Sequence, residues 1–287
     1  MGKLFWYLNR LQAMDLQEVC WRVQQRLLVK AEKRRFGKQR VRVDGEVWND
    51  ALRELGFDAG ALGINLDNAH YSTITEVHRL QGPDYGKWPD TFSYDLTYKQ
   101  RDDLGDARTC WEKHRHFRFA LLAKAAYVSG DSRLLAYLND EQDRWCEQHT
   151  FLHGIAWTSV MEVAIRAVNW MVTLAFCKDE KLAERLRTGV INMTDYLTRH
   201  YSRFSSANNH LLVEAAAIGL AGYAFGYRPW KELGMALLSK ELLNQNYEDG
   251  VNKELSLHYQ TFGMEAYCLM MRAMQAHDDE IPTTWYR

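Results

Sequence analysis

The chain has 287 residues, 47% of them hydrophobic and 25% charged, with only 4 Pro and a formal net charge of -1. That composition belongs to globular proteins and excludes disordered, collagen-like and low-complexity classes; the length fits one large domain or two small ones. No stretch approaches the roughly 20 apolar residues that span a bilayer, and 36 basic against 37 acidic residues argue against a general polyanion binder.

The N-terminus, Met1-Gly2-Lys3-Leu4-Phe5-Trp6-Tyr7-Leu8-Asn9-Arg10, shows neither a continuous apolar run nor a small-residue cleavage site, so no signal peptide is visible and cytoplasmic placement is the expectation. Residues 15–35 read as an amphipathic helix opened by Asp15, with Leu16, Val19, Cys20, Val23 and Leu27 on one stripe. Residues 1–40 hold ten Lys or Arg against three Asp or Glu, so the segment reads either as a solvated basic face or as a contact for an anionic membrane surface through residues 1–35.

Residues 41–103 are rich in Gly, Asp and Asn, and Gly82-Pro83-Asp84 and Trp88-Pro89-Asp90 are turn signals. They are expected to form an irregular segment with some short strands, wrapped on the surface of the helical region after it. From Leu104 onward the period is helical, with spans expected at 106–129, 131–148, 157–177, 180–201, 207–225, 231–246 and 252–276. Gly130-Asp131, Gly226 and Asp249-Gly250 punctuate them, and such short links require antiparallel hairpins. The expected domains are therefore 1–103 and 104–287. Stacked hairpins form a solenoid or close as an (α/α) toroid; periodicity does not choose.

The cysteines, Cys20, Cys110, Cys146, Cys177 and Cys268, are scattered and contain no CxxC pair, which speaks against a disulfide scaffold and a zinc finger. His114-x-His116 and His149-xxx-His153 have metal-compatible spacing but no partners to complete a set, so no metal is expected. No hydrolase, nucleotide or nucleic-acid motif occurs.

Polar groups nonetheless cluster among aromatics. Trp111-Glu112-Lys113-His114-Arg115-His116 opens the first long helix. Trp157, Glu162 and Arg166 follow on another, and Glu162 and Arg166, four apart, can pair on one face, which is equally the pattern of an ordinary helix salt bridge. In Ser205-Ser206-Ala207-Asn208-Asn209-His210, Ser206 or Asn208 can cap a helix and leave Asn209 and His210 near its N-terminus, where a carboxylate is favoured. Glu214 is placed to fix the His210 tautomer. Capping plus a surface histidine explains the same residues. Glu254, His258 and Tyr259 bring carboxylate, imidazole and phenol to the start of the last helix. A phenol, ordinarily near pKa 10, does acid–base work only where cations or donors stabilise its phenolate.

Ser206-Ala207-Asn208-Asn209-His210-Leu211-Leu212-Val213-Glu214, then Asp249-Gly250-Val251 and Glu254-x-Ser256-x-x-Tyr259, resemble the heparinase II/III-like polysaccharide lyases. Trp111-Glu112 with Arg115-His116, Trp157-x-Ser159-x-Met161-Glu162-x-x-x-Arg166, and Trp6-Tyr7-Leu8-Asn9-Arg10 are similar to the same family, so the resemblance covers nearly the whole chain. It implies an all-α fold, an (α/α) toroid of helical hairpins with an irregular N-terminal segment. It implies β-elimination at a uronic acid within an acidic polysaccharide such as a glycosaminoglycan or alginate, with no cofactor. By resemblance Asn209 and His210 bind the substrate carboxylate, and Tyr259 protonates the leaving oxygen. Asn208, Trp157, Glu162, Arg166, His258, Arg115 and His116 are the expected substrate-binding residues.

Two departures bear on activity. His114 stands where the family pattern has Asn. The chain ends at Trp285-Tyr286-Arg287, soon after the last motif, so the toroid is expected to be incomplete or C-terminally truncated, and the family's C-terminal β-sandwich with its catalytic contribution is absent from this chain. A non-catalytic or divergent carbohydrate-binding protein of cell-surface polysaccharide synthesis or turnover is the alternative expectation, and a helical interaction scaffold a second. Members of the family are often periplasmic or secreted, which stands against the cytoplasmic expectation.

Overall fold

The computed structural model describes residues 14–64, 66, 83–99, 101, 103–204 and 207–286. The chain divides into two compact units, Met1–Arg40 and Val41–Arg287. In the first, α1 (Leu16–Phe36) starts where the Asp15 carboxylate accepts from the Glu18 amide at 2.7 Å, and it ends in Lys33, Arg34 and Arg35, the charge order the helix dipole favours. Of its expected apolar stripe, Leu16, Val23 and Leu27 are exposed.

In the second unit the helices are α2 (Ala107–His114), α3 (Phe117–Ser129), α4 (Ser132–Gln148), α5 (Val160–Phe176), α6 (Glu180–His200), α7 (Asn209–Ala224), α8 (Arg228–Gln245) and α9 (Leu257–Ala276). Asp106, Asp131 and Asp179 cap α2, α4 and α6 by accepting from amides of the first turn. Gly130, at φ 71°, ends α3 in the left-handed conformation that glycine adopts most cheaply. None of the described helices is long and apolar enough to cross a membrane.

The packing has two layers. α3, α5, α7 and α9 lie side by side in chain order, while α4, α6 and α8 each back the helix that precedes them. This is the (α/α) toroid arrangement of hairpins, here an arc of it. The inner helices explain themselves: α7 is apolar around most of its circumference, and a helix of that kind must be enclosed, while α5 is buried on nearly every side, its polar stripe of Glu162, Arg166, Asn169 and Thr173 included. Contact between α7 and α8 is backbone-close. A Cβ on Gly222 would stand 2.1 Å from the Lys231 amide nitrogen, and one on Gly234 would stand 2.5 Å from the Gly219 Cα. Gly222→Ala is therefore expected to destabilise the protein by about 1–3 kcal/mol through overpacking, read as a lower urea midpoint with unchanged m-value.

Segments 41–64 and 83–99 hold 3-10 turns at Asp50–Leu52, Gly60–Leu62 and Ser93–Asp95. The expected short strands do not form among the described residues: only an isolated bridge joins Phe92 to His153. Helix side chains pin the segment instead. Asn192 on α6 donates to the Val43 and Glu46 carbonyls at 2.8 and 2.7 Å and accepts from the Trp48 amide at 3.1 Å. Asp44, buried, is held by Arg42 at 3.0 Å and Gln142 at 2.8 Å.

Two helix spans need correction. The single helix expected over 106–129 is broken between α2 and α3, where His116 takes φ 61°. The helix expected to begin at residue 252 begins at Leu257, because residues 246–252 form a tight reversal bridged from Asn246 to Asn252 through Gly250 at φ 85°. Ser205, Ser206, Gly82 and the Trp6-Tyr7-Leu8-Asn9-Arg10 motif lie outside the described residues.

Candidate functional site

The break between α2 and α3 is held from α5, residue by residue. Arg166 donates to the His114 carbonyl at 3.0 Å, Asn169 to the Arg115 carbonyl at 2.9 Å, and the Trp170 indole to His116 Nδ1 at 2.8 Å. Positions 166, 169 and 170 share a helix face by their i, i+3, i+4 spacing, so one stripe grips three consecutive residues. Four residues before Arg166, Glu162 receives the Arg115 guanidinium side-on: Nε to Oε2 at 2.6 Å and Nη2 to Oε1 at 2.9 Å. Arg115 is 23% exposed at its side chain and Glu162 only 1%. The pairing raises the Arg115 pKa, the hydrogen bond to Glu162 being the main cause.

Several expected substrate contacts are thereby relocated to the interior. Glu162 does not pair with Arg166, because the Arg115 fork occupies its carboxylate. Arg166 is fully buried, spends its other terminal nitrogen on the Ala156 carbonyl at 3.0 Å, and lies between Trp145 and Trp157 at 4.9 and 5.1 Å from their ring centres. Burial pushes its pKa down to about 10, still cationic at neutral pH. Trp157, 1% exposed, packs edge-on against Phe151 and Tyr196 and offers no face to a sugar. His116 is stacked 4.2 Å from Phe119 and buried, and loss of solvation drives its pKa far down. All three side chains lie in the interior of the ligand-free molecule.

At the start of α7, Asn208 is exposed and makes no side-chain cap. The turn is fixed from α8: the Gln245 amide donates to the carbonyls of Ala207 and Asn208 at 2.8 and 3.0 Å, and the Gln245 carbonyl accepts from the Lys253 amide at 2.8 Å. One residue thus ties together the two loops that lead into α7 and α9. Asn209 is buried and donates from Nδ2 to Glu254 Oε1 at 3.2 Å. The His210 ring is partly open; desolvation lowers its pKa, while the Glu162 and Glu254 carboxylates nearby act to raise it. Glu214 does not reach His210. It is buried against the preceding loop, accepting from the Ser202 amide at 2.5 Å and hydroxyl at 3.0 Å, and burial pushes its pKa up to about 8.

Arg115, Glu162, His210, Asn209 and Glu254 therefore form one neighbourhood, contributed by the α2–α3 break, the first turns of α5 and α7, and the loop before α9. Tyr259 and His258 sit in the first turn of α9 with ring centres 5.6 Å apart, Tyr259 being 40% exposed. No hydrogen bond or ion pair among the described residues joins either side chain to Asn209 or His210. Asn169, Trp170 and Gln245 escaped the sequence reading. The first two could have been found by continuing the Arg166 face one turn; Gln245 carries no local signal. Among the described residues no group of three or more His, Cys, Asp or Glu is arranged to hold a metal ion.

Comparison with known proteins adds to this geometry. The family model described as Heparinase II/III N-terminus matches residues 9–287. A heparin-sulfate lyase of Bacteroides thetaiotaomicron is 29% identical over 159 residues, 51% of this chain and 22% of the relative. One of Bacteroides stercoris is 24% identical over 185 residues, 55% of this chain and 28% of the relative. The chain thus spans about a quarter of the length of these relatives. A crystal structure of heparinase III superposes with a TM-score of 0.55 at 20% identity, covering 90% of this chain and 40% of that one, a likeness of fold.

Proposed function

Because the chain belongs to the heparinase II/III N-terminus family, we propose that it forms the substrate-groove part of a polysaccharide lyase acting on uronate-containing acidic glycans, with heparin or heparan sulfate the first class to test. The observation that carries this reading is the placement of Asn209 and His210 beside the Arg115–Glu162 pair, where four separate chain segments meet. In β-elimination the C5 proton leaves to a base, the C4–O bond breaks, a C4–C5 double bond forms, and the departing oxygen takes a proton. The C5 proton is acidic enough only when the adjacent carboxylate is neutralised, and donors positioned for the developing enolate-like charge do most of the work. Asn209 supplies an amide donor at that position. His210 supplies an imidazole held toward its neutral form, able to donate from one nitrogen and accept at the other. Tyr259 supplies the acid for the leaving oxygen. Arg115 and His258 line the approach, and Asn208 offers an exposed amide beside them.

The test is ultraviolet absorbance of the unsaturated uronate during incubation with heparan sulfate, heparin, hyaluronan, chondroitin and alginate. Asn209→Ala and His210→Ala are each expected to lower the rate by about 10²-fold or more, the usual cost of one donor to a developing oxyanion, and to weaken glycan binding as well. Full activity in both variants would remove these residues from the site. A glycan-binding role without cleavage is favoured by one observation: among the described residues no hydrogen bond joins the Tyr259 phenol to Asn209 or His210, and no donor or cation is described upon it. Binding with no absorbance rise on any polymer is what that reading expects.

A further inference from the structure

We propose that Glu254 is a built-in competitor for the carboxylate position of the site: it occupies Asn209 in the ligand-free molecule and must leave when a ligand carboxylate arrives. The inference rests on the reading of Asn209 and His210 as carboxylate-recognising residues. The Asn209 side-chain amide, itself buried, donates at 3.2 Å to a carboxylate oxygen of Glu254, the same chemical group as the charged end of a uronic acid. The charges around it decide the consequence. Arg115 and Glu162 neutralise each other through two hydrogen bonds. His210 is held toward its neutral form. With Glu254 in place the neighbourhood is net negative, and a second carboxylate approaching the same amide meets a like charge.

The loop is built so that Glu254 can withdraw alone. The chain before it is fastened: the Asn252 amide donates to Gln260 Oε1 at 2.7 Å, the Lys253 amide to the Gln245 carbonyl at 2.8 Å, and Lys253 Nζ to the Asn244 carbonyl at 2.8 Å. The chain after it is helix from Leu257. Between the two lie Glu254, Leu255 and Ser256, where the Glu254 amide donates to Asn252 Oδ1 and the Leu255 amide to the Asn252 carbonyl, both at 2.9 Å, so the Glu254 side chain can swing out while its backbone stays held. Leu255 is exposed and holds φ 52°. Glu254 itself is exposed, so its departure opens no cavity.

The experiment is titration of the protein with glucuronate, following the Asn209 side-chain amide resonance, which is assigned by its loss in Asn209→Asp. Wild type, Glu254→Ala and Glu254→Gln are compared. Both Glu254 variants are expected to bind glucuronate about five- to tenfold more tightly than wild type, the gain from removing one exposed like charge. Equal or weaker binding in both variants would overturn the proposal, since Glu254 would then be a ligand contact or a bystander. Absence of any shift of the Asn209 resonance in all three proteins would overturn it too. Failure of the polymers to yield unsaturated product sinks the lyase reading alone, because glucuronate binding does not depend on cleavage.

Discussion

Tyr259→Phe is expected to lower β-elimination by about 10²–10⁴-fold, the usual contribution of a general acid, while glycan affinity stays within a few fold. The substitution removes one oxygen and keeps the ring, and that oxygen makes no described hydrogen bond that its loss would orphan. The side chain is 40% exposed at the start of α9, so stability should change by no more than about 0.5 kcal/mol. A rate that collapses with an unchanged melting temperature would therefore report chemistry rather than folding. The affinity should survive because, in the proposed mechanism, Asn209 and His210 hold the carboxylate and Tyr259 acts only on the bond that breaks. A variant cleaving at the wild-type rate would take the acid's role away from Tyr259.

Stability is expected to peak near pH 6.5 and to fall on both sides, for two separate reasons. On the acid side, His114, His116 and His149 all have lowered pKa values, chiefly through burial, with His149 pushed down to about 4. Trp145 donates to His114 Nδ1 at 2.9 Å and Trp170 to His116 Nδ1 at 2.8 Å, so each of these rings must keep an unprotonated Nδ1. Below about 6.5 the unfolded chain binds protons that the folded one refuses, and stability falls as pH drops toward 4, by up to about 1.4 kcal/mol per pH unit for each imidazole. On the alkaline side, Glu214 works in the opposite sense. Its carboxyl, raised from 4.5 to about 8, keeps a proton in the fold that the unfolded chain releases, so its contribution is lost as pH rises through that window. Between 4.5 and 6.5 the three imidazoles outweigh Glu214; above 6.5 they no longer contribute, and Glu214 sets the slope, with the Glu141 carboxyl, also raised by burial, acting in the same sense. Urea midpoints from pH 4.5 to 8.5 would show the maximum. Glu214→Gln should flatten the alkaline limb and steepen the acid limb, where the carboxyl otherwise opposes the imidazoles; a flat acid limb in wild type would mean that the imidazoles are not held neutral.

The parts of the fold that a sequence can state were those governed by local chemistry. The spans of α4 and α6 come out within a residue, because Asp131 and Asp179 are capping residues standing directly before strong helical periods. The break after His114 has no such mark. No Gly or Pro interrupts Trp111-Glu112-Lys113-His114-Arg115-His116-Phe117, and the left-handed His116 is imposed from a helix some fifty residues away. The site followed the same division. Asn209 and His210 were placed at a helix start by their neighbours in sequence. The partners of Glu162 and Glu214 were misread because i, i+4 spacing establishes a shared face, while tertiary packing decides whether that face is already occupied: by Arg115 in one case, by Ser202 in the other. Trp157, expected among the substrate-binding residues, went to the core, where large aromatic side chains contribute most to stability.

The grip of α5 on residues 114–116 also bears on the order in which this protein acquires its shape. The contacts that bend the chain there span 52 to 54 residues of sequence. Closing so long a loop has to precede any reward from those hydrogen bonds. Before α5 docks, no Gly or Pro opposes a continuous helix through residues 106–129, and that straight form is the one expected of the early chain. The bend, and with it the orientation of Arg115, then belongs to the late steps of folding. Asn169→Ala should accordingly speed unfolding while leaving the folding rate almost untouched, the behaviour of a position with a low φ-value.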